Sequence, residues 1–359
     1  MAAGDIITTK GAPADCAYML TLGKVLYEPS PGQQFEFKGT NMIIGAAEIV
    51  IEKDEKKPQT RHMTITEGEF CKYTKIAKSV LLAKISSYNI GFNIAKNIAS
   101  NLVKLHKVVN DKNNQLSQME KLARDYCRVF ASTVFRLESC IEEYDATFLV
   151  NAVNDFKDTL TFNYGQSLID QSASAKYKTD DETMNKFKRT YSAGSVIINE
   201  GDEANEMYIL SEGTIGVYIH GKQIDTIKEK GQIIGEMGFI LNEKRTATLS
   251  AEDETSLIVV DKPRIKGFFE SNTSVFLQMV TTLAKREHYL CGLINEIDEL
   301  INEAQPALDL ESQQVDNYKK DLLQLREKIS DYNTQRRMEW LTEVYKNLEA
   351  ELKKLGLIP

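Results

Sequence analysis

The sequence predicts an α+β protein, and two observations carry that prediction. The first is an alternation of texture along the 359 residues. Residues 1 to about 75 and about 188 to 262 carry glycines, β-branched residues and short alternating runs, such as Thr214-Ile215-Gly216-Val217-Tyr218-Ile219 and Ser256-Leu257-Ile258-Val259-Val260. Runs of this kind, separated by turn residues, read as short strands. Residues 76–187 and 263–359 are poor in glycine, rich in Leu, Ala, Lys, Glu and Gln, and apolar at helical spacing. Leu290, Ile294, Ile297 and Ile301 form one stripe, Leu341, Tyr345, Leu348 and Leu352 a second, and Phe130, Val134, Leu137, Ile141 and Tyr144 a third. Such stripes mean intramolecular packing or a coiled-coil partner helix.

The second observation is an internal repeat. At an offset of 190 residues, Ala3-Gly4 falls on Ala193-Gly194, Ile7 on Ile197, Gly11 on Gly201 and Ala14 on Ala204. Tyr18 falls on Tyr208, Leu20 on Leu210, Gly23 on Gly213 and Gly45 on Gly235. The offset then shortens to 184, where Arg61-x-x-Thr64 falls on Arg245-x-x-Thr248. The first copy therefore holds six extra residues, in or near the polar run Glu52–Pro58. The stretch Phe187–Tyr191 has no counterpart ahead of Gly4, so the first copy is expected to lack an opening helix or to begin abruptly in its first strand.

Composition bounds the function. With 42% hydrophobic and 27% charged residues the chain is an ordinary globular protein rather than a disordered one. No apolar run approaches the ~18 residues a membrane helix needs. The amino terminus has no basic region leading into an apolar one. A net charge of −8 argues against general affinity for nucleic acid or anionic membranes. Cys16, Cys71, Cys127, Cys140 and Cys291 are odd in number and contain no Cys-x-x-Cys, which suits reduced thiols and a cytoplasmic location. His62, His106, His220 and His288 are scattered without ligand spacing, and no metal is expected.

The second copy carries the chemistry. It reads Gly194-x-x-Ile197, Glu200-Gly201-Asp202, Met207-Tyr208-Ile209, Gly213, Gly235-Glu236-Met237-Gly238 and Arg245-Thr246-Ala247-Thr248. This order and spacing resemble the cyclic-nucleotide-binding domain family, whose members include catabolite-activator-like regulators, kinase regulatory subunits and gated channels. The resemblance covers roughly 105 residues closely and about 100 more, through the first copy, weakly. It implies two jelly-roll-like β-rolls, each followed by long helical segments, divided as 1–75, 76–187, 188–291 with a closing lid helix, and 292–359 as an acidic helical tail. It further implies a non-enzymatic receptor for cyclic AMP or cyclic GMP with no other cofactor.

Residue chemistry agrees with that implication. A cyclic nucleotide presents one phosphodiester charge and one free ribose 2′-OH, and burying the charge without a partner is very costly. Arg245 offers a permanent charge and a planar fork matched to phosphate oxygens. Thr246 has a hydroxyl that can reach the phosphate or the base, or simply bond locally. Met237, Gly238 and Phe239 are expected to open a short helix whose free N–H groups suit an anion, and Gly238 lets backbone approach closely. Glu236 can accept a bond from the 2′-OH. The family places the backbone at Gly235 beside the ribose, and Gly235, Glu236, Met237, Gly238, Arg245, Thr246, Ala247 and Tyr289 form the expected ligand set. Gly201 and Gly213 read as turn glycines, and Tyr208 and Ile209 as core.

The first copy departs from the pattern. Ala46 stands where Glu236 does, Glu48 lies out of register, Arg61 survives but is followed by His62, and Lys10-Gly11-Ala12 replaces Glu-Gly-Asp. It is expected to be a structural or docking copy, the alternative being an altered ligand held by Arg61 and Glu48. The lid helix should start near Thr273 and run to Tyr289, where Tyr289 either stacks on a purine or packs on another helix. No helix-turn-helix follows. Between residues 292 and 355 Asp and Glu outnumber Lys and Arg 14 to 9, which is unsuited to DNA contact. A protein partner or second protomer is expected to read the helices. The rivals are a transcription regulator, a kinase regulatory subunit (although no Arg-Arg-x-Ser-type segment precedes the first module) and a structural protein with an empty pocket. Cyclic AMP is expected over cyclic GMP.

Overall fold

A computed structural model describes residues 4–114, 116, 118–169, 184, 186–303 and 308–359. The first β-rich segment comprises β1 (Ile6–Thr8), β2 (Cys16–Leu22), β3 (Lys24–Ser30), β4 (Gln33–Lys38), β5 (Met42–Ile44), α1 (Ala47–Glu55), β6 (Thr64–Glu67) and β7 (Lys72–Ala77). Helices α2 (Lys78–Lys84), α3 (Tyr88–Asn113), α4 (Gln118–Tyr144), α5 (Val150–Lys157) and α6 (Leu160–Ser167) follow. The second β-rich segment holds β8 (Lys188–Tyr191), β9 (Val196–Ile198), β10 (Glu206–Glu212), β11 (Ile215–Ile219), β12 (Lys222–Ile227), β13 (Ile233–Ile234), α7 (Glu236–Leu241), β14 (Thr248–Ala251) and β15 (Thr255–Asp261). It is succeeded by α8 (Ile265–Ser271), α9 (Thr273–Glu303), α10 (Leu308–Arg336) and α11 (Glu339–Lys354).

Each β-rich segment is a roll of two antiparallel sheets. The first pairs β1-β6-β3-β4 and β5-β2-β7. The second repeats this as β9-β14-β11-β12 and β13-β10-β15, with β8 added beside β15. Registers repeat with the sequence offsets: Tyr18 faces Ile44 as Tyr208 faces Ile234, and the isolated bridge Pro13–Thr60 recurs as Glu203–Lys244. The extra piece of the second roll is thus a strand, β8, rather than an opening helix. Alternation explains the inward faces: in β4, Phe37 is buried and Phe35 half-buried while Gln34, Glu36 and Lys38 are exposed. The second roll closes over Ile198, Tyr208, Leu210, Ile215, Ile234, Leu249, Leu257 and Val259.

The chain divides into two compact units, residues 1–108 with 171–294, and 109–170 with 295–359. Two of their boundaries fall inside α3 and α9 rather than at the changes of texture. The first unit contains both rolls. In it the start of α9 is fixed by aromatic packing of Phe276 on Phe269 (4.8 Å between centroids) and Tyr88 (5.8 Å). Gly91 permits this approach, because a Cβ there would lie 2.6 Å from the Phe276 ring. The second unit is helical. The predicted α4 stripe Phe130, Val134 and Leu137 packs on Leu322, Leu325 and Ile329 of α10 and on Leu341, Leu348 and Leu352 of α11. Among the described residues, no helix is long and apolar enough to cross a membrane.

Candidate functional site

Gly235 opens the site. It is the N-cap of α7 with φ 75°, a left-handed conformation that costs a side-chain-bearing residue about 1–2 kcal/mol. A Cβ there would also lie 2.5 Å from Arg245 Nη1. Arg245 reaches across beneath it. Its Nη1 donates to the Gly235 carbonyl at 3.0 Å, its Nη2 donates to the Glu206 carbonyl, and its carbon Cζ lies 5.8 Å from the Tyr208 ring centre. The residue is 7% exposed, and burial draws its pKa below the usual guanidinium value. Its Nε is buried without a hydrogen-bond partner. Among the described residues no carboxylate lies within ion-pair distance of Arg245, and the Glu206 carboxylate is engaged by Arg189 at 3.4 Å. A cavity of about 500 Å³, lined in part by Ile197, Ile198, Asp202, Tyr208 and Arg245, adjoins the guanidinium.

Glu236 is 6% exposed and its Oε1 accepts a bond from Arg286 Nη1 of α9 at 2.7 Å. A buried carboxylate needs such a partner. The helix that the sequence places at Met237 begins one residue earlier, at Glu236, and is only six residues long. Gly238 serves packing, since a Cβ there would come 3.2 Å from the Ala204 Cβ. Met237 and Ala247 are half-buried and Thr246 is exposed. Tyr289 is half-buried on α9, and the side chain of that helix that reaches Glu236 is Arg286, one turn earlier.

Arg286 and its neighbours were not singled out from the sequence. Lys285 pairs with Asp54 at 2.8 Å and Glu55 at 3.4 Å, Glu287 accepts from Asn101 at 2.7 Å, and the His288 ring lies 4.2 Å from that of His62. Consecutive residues of α9 thus engage both rolls. A signal existed: Glu287 interrupts the otherwise apolar buried series Leu283, Cys291 and Ile294 at helical spacing.

The first roll repeats the arginine seat. Arg61 Nη1 donates to the Gly45 carbonyl at 2.6 Å and Nη2 to the Cys16 carbonyl, the positions matching Gly235 and Glu206. Here a carboxylate is present as well, with Glu48 Oε2 3.1 Å from Arg61 Nη1. The six extra residues lengthen α1 to nine residues and add the turn after it. Among the described residues, no group of three or more His, Cys, Asp or Glu side chains could hold a metal ion, and all five cysteines are free.

Residues 188–272 match the family model of the cyclic nucleotide-binding domain. The chain is 36% identical over 73 residues to a cAMP-dependent protein kinase regulatory subunit of Schizosaccharomyces pombe, covering 20% of this chain and 18% of that protein. It is 33% identical over 88 residues to the type II regulatory subunit of Drosophila melanogaster, covering 23% of each. The matched segment is therefore less than a quarter of the length of these relatives. A cyclic nucleotide-binding-like protein from Brucella abortus aligns with 23% of this chain and 74% of its own at 28% identity, with a TM-score of 0.22, a superposition too loose to bear on the fold. The Gly-Glu and Arg-Thr-Ala-Thr segments and the roll that carries them fall within the matched residues, so it is this part of the chain that is similar to the cyclic nucleotide-binding domain family.

Proposed function

We propose that the second roll is a receptor for one cyclic nucleotide, cyclic AMP in preference to cyclic GMP, and that the protein is a non-enzymatic regulator. Arg245 takes the phosphate, Glu236 accepts the ribose 2′-OH, and Gly235, Met237, Gly238, Thr246 and Ala247 line the ligand. The carrying observation is Arg245 itself: a buried guanidinium, fixed by two carbonyls, with no carboxylate within ion-pair distance among the described residues and an unpartnered Nε. An anion satisfies what the fold leaves unmet. The relatives are named as regulatory subunits of a cAMP-dependent kinase, which supports both the ligand and the regulatory role. A kinase partner is the second reading that those names favour. A protein partner or second protomer reads the helices. The acidic region after residue 292 does not suit DNA.

Calorimetric titration of the whole chain with each nucleotide tests the reading. Arg245→Ala should weaken binding by about 30-fold to several-thousand-fold, the ~2–5 kcal/mol lost when one partner of a buried charge pair is removed. Undiminished affinity in Arg245→Ala refutes it. Thr246→Ala separates the nucleotides: a preference for cyclic GMP that this change abolishes reverses the choice of cyclic AMP.

A further inference from the structure

The two rolls differ at two positions that matter for an anion. Where the second has Glu236, the first has Ala46. Where the second has Gly238, with no side chain, the first has Glu48. Glu48 does not project into solvent. It is 5% exposed, one carboxylate oxygen sits 3.1 Å from Arg61 Nη1, and the other accepts the backbone N–H of His62 at 3.0 Å. His62 is the counterpart of Thr246. An arginine fork and the N–H of the next residue are the donors that a bound oxyanion would use, and in the first roll one carboxylate takes both.

We propose that Glu48 is the resident anion of the first roll, occupying the place that the second roll keeps for a cyclic phosphate, so that this roll is closed to nucleotide. The proposal rests on the reading of Arg245 as the phosphate ligand. The charge state agrees with the geometry. Burial alone would raise the Glu48 pKa, but the Arg61 guanidinium and the His62 backbone N–H hold the carboxyl below its usual value. His62 is itself pushed down to about 4 by burial and is neutral at pH 7, which leaves Arg61 as the cation. The first roll then acts as a fixed support for α9, through His62 against His288 and Lys285 against Asp54.

The test uses full-length variants. In Arg245→Ala, titration with cyclic AMP to millimolar concentration should show at most the weakened event of the second roll, and adding Arg61→Ala should leave it unchanged. A remaining event that Arg61→Ala abolishes would overturn the proposal while leaving the second-roll assignment intact. In the reciprocal experiment, Gly238→Glu in the otherwise native chain should lower affinity for cyclic AMP at least 100-fold, with the fold verified by circular dichroism. Native-like affinity in a folded Gly238→Glu protein would overturn it. Finally, Glu48→Gln in the Arg245→Ala background keeps the side-chain volume but removes the charge. Its melting temperature should rise with inorganic phosphate at constant ionic strength, and adding Arg61→Ala should abolish the rise. A melting temperature indifferent to phosphate in folded Glu48→Gln would count against Glu48 as an anion surrogate. Failure of the main reading has a different signature: no nucleotide binding in the native chain, or binding unaffected by Arg245→Ala.

Discussion

Replacing Glu287 by Gln should flatten the alkaline limb of the protein's stability curve. Glu287 is 2% exposed, with Asn101 as its hydrogen-bond donor. Burial first, and the charge of Glu48 second, push its carboxyl from 4.5 up to about 8. An acid that holds its proton more tightly when folded contributes its full stabilisation below the unfolded pKa near 4.5, and loses it as pH rises through 8. His62 works in the opposite sense. Burial lowers it from 6.5 to about 4, so its contribution is complete above 6.5 and is lost as pH falls through 4. The two effects offset between pH 4.5 and 6.5, and above 6.5 only Glu287 continues to change. Integrating its titration from pH 6.5 to 9 at ~1.36 kcal/mol per unit gives a loss of about 2 kcal/mol. For a unit of this size that corresponds to roughly 4–8 °C in melting temperature. Gln keeps the amide–carbonyl pairing with Asn101 and has no proton to lose. Calorimetric melts of both proteins at half-unit pH steps measure the effect as the difference between the two curves. If that difference stays constant from pH 6.5 to 9, Glu287 does not carry the proton assigned to it and the argument fails.

Three further outcomes follow from the site. Arg286→Gln leaves the buried Glu236 carboxylate without the cation that holds it in place, so affinity for cyclic AMP should fall by about 5- to 150-fold, or ~1–3 kcal/mol; tighter binding in that variant would show Arg286 to be a competitor of the ribose. Gly235→Ala meets both the left-handed backbone and Arg245 Nη1, so it should cost about 1–2 kcal/mol in urea-derived stability and a larger share of ligand affinity; equal affinity to the parent would mean that Arg245 can leave its seat freely. Amide exchange across residues 273–303 should slow when nucleotide binds, because α9 reaches the site through Arg286; protection confined to 235–248 would show a site that binds without passing its state to the helix.

The two rolls, their relative register and the arginine in each were legible from the amino-acid order. These depend on local rules. Positive φ at Gly11, Gly23, Gly45, Gly201, Gly213 and Gly235 favours glycine, and period-two alternation fixes which strand faces turn inward. Repetition of those signals at offsets of 190 and 184 was enough to predict that Arg61 and Arg245 occupy the same seat. The start of the helix at Thr273 followed from the family resemblance. Tertiary structure alone decided the rest. The sequence places Glu48 two residues away from the expected carboxylate position and reads it as out of register; only the folded roll turns it back onto Arg61. Asn101 and Glu287 are 186 residues apart, and Glu236 and Arg286 are 50 apart. No local pattern encodes pairings at such separations, because they arise when α3, α9 and the two rolls are packed together and buried charges are left to find partners. The boundary of the compact units inside α3 and α9 has the same origin. Helical periodicity reports a continuous helix, whereas membership of a core depends on which distant residues cover its apolar face.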